Sequence, residues 1–201
     1  MKKQYLYTVT IMFMIIYTYA QNDSLKSSAT YKNKFTIEPG IGISPMPIVD
    51  MSLTNIVQWG IAKRFSVISY TSLKENNLFK RNFNYIKGTN NHTISQSFGV
   101  GTTFCSKHAD HTFSMLAGIK YTTYTETMSN PQFEKVQVSI SEWNPDAGLM
   151  YNLKLGRKRF FFSYRMYIPL APYPMLSRDF SSVDGNIANI SLEAGLGIRL
   201  N

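Results

Sequence analysis

The chain of 201 residues carries three histidines, His92, His108 and His111, and one cysteine, Cys105. A hydrolase or acyltransferase needs a nucleophile beside a base. His92 neighbours Thr93 and Ser95, and Glu75 or Glu126 can orient it, so it is the one weak candidate base. No GxSxG signature accompanies it, and a solvated loop histidine explains the same residue better. His108, Asp110 and His111 offer a loose set of zinc donors, but a polar hairpin turn accounts for them more simply. A single cysteine excludes an internal disulfide, a cysteine metal cluster and a CxxC redox site. Cys105 reads as a small filler. Gly99-Val100-Gly101 and Gly195-Leu196-Gly197 lie inside strand patterns with no helix following, so they are not phosphate loops. No cofactor and no metal is expected.

The charged residues carry a stronger signal. Near the C-terminus, Ala188, Ile190, Leu192, Ala194, Leu196, Ile198 and Leu200 alternate with Asn189, Ser191, Glu193, Gly195, Gly197 and Arg199. A strand sends successive side chains to opposite faces. One face can meet hydrocarbon, and the other carries a carboxylate and a guanidinium. The same alternation puts Glu38, Lys120, Asp146, Lys154 and Arg165 with Glu193 and Arg199 on one common side. If the strands close on themselves, these charges meet in the middle. They must pair there, because an unpaired buried charge is costly. An eight-stranded barrel leaves an interior just wide enough for side chains, so a packed polar lumen is expected rather than a pore.

Runs of roughly ten residues, each long enough for a membrane strand, supply the positioning elements. Eight are expected, at 35–44, 51–61, 65–73, 93–104, 112–125, 135–155, 159–169 and 187–200. The sixth carries Asn144-Pro145, where a bulge is expected because proline cannot donate to the ladder. Tight turns join strands two to three, four to five and six to seven. Longer loops lie around 74–92, 126–134 and 170–186, and this alternation of long and short connections suits a bacterial barrel with short periplasmic turns. A ten-stranded count remains open if the segment 74–92 hides a hairpin. Trp59, Tyr121, Tyr124, Trp143, Tyr151, Tyr164 and Tyr167 are candidates for the aromatic girdles at the two head-group levels.

Export is read from the other end. Met1-Lys2-Lys3 precedes an apolar run and then Ala20-Gln21, the pattern of a cleaved signal peptide over residues 1–20. Residues 21–34 read as a flexible periplasmic lead-in, and 35–201 as the barrel. The formal charge of +9 falls to +7 once Lys2 and Lys3 leave. The basic residues are dispersed, which with export argues against nucleic acid.

The signal MKKQYLYTVTIMFMIIYTYAQ, the paired run TNIVQWGIAKRFSVISYTSL and the terminal ISLEAGLGIRLN together resemble small outer-membrane β-barrel proteins of the OmpA-like and OmpX-like kind, of a Bacteroidetes type. The resemblance is one of pattern over about residues 35–201. It departs at the end, where Leu200-Asn201 stands in place of a terminal aromatic residue. It implies an all-β, antiparallel, eight-stranded transmembrane barrel in the outer membrane of a Gram-negative cell envelope. Outer-membrane lipid, lipopolysaccharide and the barrel-insertion machinery are the expected partners, with an envelope protein engaged through the loops. The expected role is structural, adhesive or accessory and non-enzymatic. A lipid- or lipopolysaccharide-modifying barrel enzyme and a secreted lipocalin-like binding barrel are the alternatives.

Overall fold

The structure is a computed structural model that describes residues 34–44, 50–75, 86–106, 108–128, 136–156, 158–170 and 190–200. The proposed signal segment, the lead-in up to residue 33 and the run 171–189 lie outside the described residues. Eight strands form one closed antiparallel barrel. They are β1 Phe35–Ser44, β2 Asp50–Gly60, β3 Phe65–Glu75, β4 Ile86–Cys105, β5 Ala109–Met128, β6 Val136–Leu155, β7 Phe160–Pro169 and β8 Ser191–Arg199. Each strand pairs with its sequence neighbour, and β8 closes against β1 with Thr36 opposite Arg199 and Gly40 opposite Gly195. Closure leaves no sheet edge around the ring. The eight-stranded count therefore holds over the ten-stranded one.

Polarity is reversed relative to a water-soluble barrel. In β1 the inward residues are Thr36, Glu38, Gly40, Gly42 and Ser44, and the outward ones include Ile37, Ile41 and Ile43. The pattern repeats around the ring. Leu53, Phe98, Val100, Met115, Phe162 and Leu196 all lie outside and are more than half exposed. Monomers in water rarely leave contiguous apolar patches of more than a few hundred Å² uncovered.

Two expectations need correcting. First, β4, β5 and β6 are each 20 residues long, longer than the runs 93–104 and 112–125 expected for β4 and β5. A membrane strand needs about 9–11 residues, so these three reach well past the height of their neighbours. Toward the long-loop end of β5 and β6 the outward residues turn polar, so the apolar–polar period that marks a strand is lost. Thr125 stands opposite Ser139, and their hydroxyls are 3.0 Å apart.

Second, no bulge occurs at Pro145, which stands in unbroken register opposite Ile119. The Ala147 carbonyl accepts a hydrogen bond from the Leu170 N–H, on the β7 side. Backbone polar groups alternate sides along an antiparallel strand, so the nitrogen of Pro145 faces the same way. Among the described residues β7 pairs with β6 only over Gly148–Leu155, so none of them faces that nitrogen. Proline therefore costs no ladder bond to any described residue at this position. The one register shift in the β4–β5 ladder falls between Thr89 and His92.

Candidate functional site

The lumen is where the chemistry of this chain converges. Its inward residues come from every strand and form layers. At the short-turn end, Arg199 Nη2 lies 3.1 Å from Asp110 Oδ2. Its Nη1 donates to the carbonyls of Gly156 and Lys158 at 2.9 and 2.8 Å, so one guanidinium ties β8 to β5 and to the β6–β7 turn. That turn bends at Gly156, whose φ of 107° suits a residue without Cβ. Lys34 Nζ reaches the same Asp110 oxygen at 3.9 Å, and the Arg199 guanidinium lies over the Phe161 ring, 4.5 Å from its centroid.

One layer up, Lys154 and Glu38 form a direct ion pair with both side chains fully buried. Lys154 Nζ also donates to Gln58 Oε1 at 2.6 Å and to Thr36 Oγ1 at 3.0 Å. Glu38 accepts from Asn152 Nδ2 and from Thr36 Oγ1, each at 2.8 Å. Gln58 passes the network on to Ser66 and Thr103, at 2.8 and 3.1 Å.

Above it, Arg165 Nη1 meets Glu193 Oε2 at 3.3 Å and Thr54 Oγ1 at 3.0 Å. Its Nη2 donates to the Glu38 carbonyl and to Ser163 Oγ. The guanidinium has room because two inward positions facing each other across the β1–β8 seam are glycines. A methyl on Gly195 would overlap the Pro39 carbonyl oxygen and the guanidinium itself, and one on Gly40 would press on both terminal nitrogens. The Tyr70 hydroxyl donates to Glu193. In the last layer Asp146 Oδ2 accepts from Ser97 Oγ at 3.0 Å and from the Tyr167 hydroxyl at 3.1 Å, while Lys120 Nζ stands 3.8 Å from Oδ1.

The ion pairs draw on β1, β5, β6, β7 and β8. An apolar cluster shares the lumen with them: Ile56, Ile68, Leu116 and Met150 pack with Tyr70 and Tyr167, whose rings stand 5.3 Å apart. Charged-group hydrogen bonds are the stronger kind, and removing one partner would strand the other without solvent. The lumen is thus a bonded solid of side chains, suited to holding eight strands in one register.

Glu38, Lys120, Arg165, Glu193 and Arg199 all point inward and are buried. Within the set Glu193 takes Arg165, whereas Arg199 takes Asp110 and Glu38 takes Lys154. Of the girdle candidates, Trp59, Tyr121, Trp143, Tyr151 and Tyr164 lie on the outer face. Tyr121 and Trp143 pack with ring centroids 5.0 Å apart. Tyr167 does not belong to that set. It faces the lumen, buried against Asp146 and over Gly148, because it shares its parity with Ser163 and Arg165. The side chain of Tyr124 lies outside the described residues.

His92 is exposed on the outer face opposite Glu75, whereas Ser95 is buried inside, so the base and its expected hydroxyl occupy opposite sides of β4. The zinc set separates likewise. Asp110 is buried inside, His108 is exposed, and His111 Nδ1 on the outer side is 2.9 Å from the Tyr151 hydroxyl. Cys105 is buried. Sequence reasoning missed Asp110 as a lumen residue, although its even number matches Thr112, Ser114 and Lys120, which point the same way.

No family model matches the chain, and no curated protein matches its sequence. Among solved structures it is similar to Ail, the attachment invasion locus protein of Yersinia pestis, with a TM-score of 0.48 and 12% identity over 84% of this chain and 99% of that one. The same protein in complex with the heparin analogue sucrose octasulfate gives a TM-score of 0.45 at 12% identity, covering 84% and 99%. The N-terminal β-barrel domain of Pseudomonas aeruginosa OprF gives 0.47 at 10% identity, covering 84% and 98%.

Proposed function

We propose that this protein is an integral barrel of the bacterial outer membrane, non-enzymatic and non-conducting, that serves a structural, adhesive or accessory role through its outer end. One observation carries this reading: the same strands present large apolar side chains outside and paired charges inside. A bilayer is the solvent that suits both faces. It covers the apolar side, and closure pairs backbone groups around the ring as hydrocarbon requires.

The outer end is assigned to the extension of β4–β6. Beyond the Tyr121–Trp143 ring pair, the outward side chains become Thr123, Thr125, Ser139 and Ser141. Paired aromatic rings suit the head-group level, and hydroxyl groups suit water above it. A sheet held clear of the membrane on a rigid barrel is a natural contact surface for another cell or an envelope protein. Export by the segment 1–20 is part of the same reading.

The test is expression of the full chain in a bacterium with an outer membrane, followed by fractionation. The expected result is recovery in the outer-membrane fraction, heat-modifiable gel migration and no stable conductance in planar bilayers. Recovery in a soluble fraction overturns the membrane reading. Stable single-channel steps overturn the packed lumen.

A further inference from the structure

A polar island interrupts the apolar outer wall. Asn55, Thr71 and Gln96 stand in one row across β2, β3 and β4, directly opposite one another in register. All three are half-buried outward residues. The next row toward the long-loop end is Leu53, Leu73 and Ile94, each substantially exposed. On the other side come Val57, Ser69 and Phe98. Asn55 is the sixth of the eleven residues of β2, so the island begins near mid-strand. On the membrane reading, on which this inference rests, that is hydrocarbon depth.

Most of the island satisfies itself. Thr71 Oγ1 donates to Gln96 Oε1 at 2.6 Å, and Gln96 Nε2 donates to Ser69 Oγ at 2.9 Å. Asn55 is different. Among the described residues its amide has no hydrogen-bond partner. A primary amide has two donors and an acceptor. Lipid chains offer neither kind of group, and each unmet polar group in hydrocarbon is costly. Polar residues placed at such a depth act as glue between membrane segments.

We propose that the outer face of β2–β4, centred on Asn55, docks a second copy of this chain inside the membrane, across a two-fold axis that brings the two Asn55 amides together. A carboxamide is its own complement, since two of them exchange a pair of N–H···O bonds. A two-fold contact presents the same patch from both sides, so the second copy supplies the missing partner with no further chemistry. Leu53, Leu73 and Phe98 around the island give the packing that keeps the amide pair dry.

The test uses the full chain inserted in bilayers and first checked for heat-modifiable migration, so that failure to insert counts against the membrane reading and not against the dimer. Asn55→Cys is oxidised in place, with the wild type and Ala147→Cys on the opposite wall as controls. A disulfide-linked dimer of Asn55→Cys alone is expected. Self-association is then followed by energy transfer between labelled copies on dilution with lipid. Asn55→Leu, which keeps the apolar wall and removes the amide, is expected to weaken it by about tenfold. A monomeric wild type, equal cross-linking at position 147, or an Asn55→Leu chain that associates as well as wild type overturns the proposal. So does cross-linking of Asn55→Cys to an unlike protein in its native membrane.

Discussion

The two faces of the same eight strands obey different rules. In the lumen the charged groups answer particular partners: Glu38 is held by Lys154, Asn152 and Thr36, and Arg165 has room because Gly40 and Gly195 lie beneath it. On the outer wall Leu53, Phe98, Val100 and Leu196 share only an apolar surface and exposure. The lumen is specified by geometry and the wall by composition. A substitution inside is therefore judged by the partner it strands, and one among these apolar outer residues by its polarity.

The sharpest way to break this contrast is at Glu38. Glu38→Gln leaves Lys154 buried without its counter-charge, and a loss of about 3–5 kcal/mol is expected in urea unfolding of the folded barrel in bilayers. Replacing the pair together, Glu38→Leu with Lys154→Met, is expected to recover much of that loss, because the cost lies in the stranded charge. Equal losses for the single and double replacements would mean that the lumen too is governed by composition.

Outside, Phe98→Arg is expected to cost about 2–4 kcal/mol in the same assay, as for a cation facing mid-bilayer, whereas Phe98→Leu is nearly silent. If Phe98→Leu costs as much as Phe98→Arg, the wall is as geometrically specified as the lumen. Gly195→Ala adds one methyl where the Pro39 carbonyl and the Arg165 guanidinium already lie, and about 1–3 kcal/mol is expected. The smallest effect belongs to His92, exposed on the outer face. His92→Ala is expected to change stability by less than about 0.5 kcal/mol and to leave lipid A composition in the intact organism unaltered. A change in lipid A would bring back the enzymatic alternative.

Strands with a clean apolar–polar period are legible in the sequence alone. The run 35–44 has the same bounds as β1 in the fold, and the inward side of β8 follows from Glu193 and Arg199. Legibility ends where the period ends. The segments KGTNNHT of β4 and TTYTET of β5 carry no apolar–polar period, so nothing in their patterning separates strand from loop. At Tyr167 residue type and parity point in opposite directions. A tyrosine suits a head-group girdle, but the parity it shares with Arg165 sends it to Asp146. Pro145 resembles an interruption because a proline lacks a donor, yet the β5–β6 ladder runs through it in unbroken register, with its nitrogen turned away from β5.

From its sequence alone the chain determined the side on which Glu38, Lys120, Asp146, Lys154, Arg165, Glu193 and Arg199 fall, and the need for those charges to find partners, because side-chain alternation is a local property of the backbone. Which charge meets which was decided only by the closed barrel. Pairing Arg199 with Asp110 and Lys154 with Glu38 depends on the stagger between strands far apart in sequence, and that stagger is set jointly by all eight ladders. The position of Asn55 in a row with Thr71 and Gln96 is a fact of the same kind. No run of consecutive residues encodes it, since three strands must first come into register.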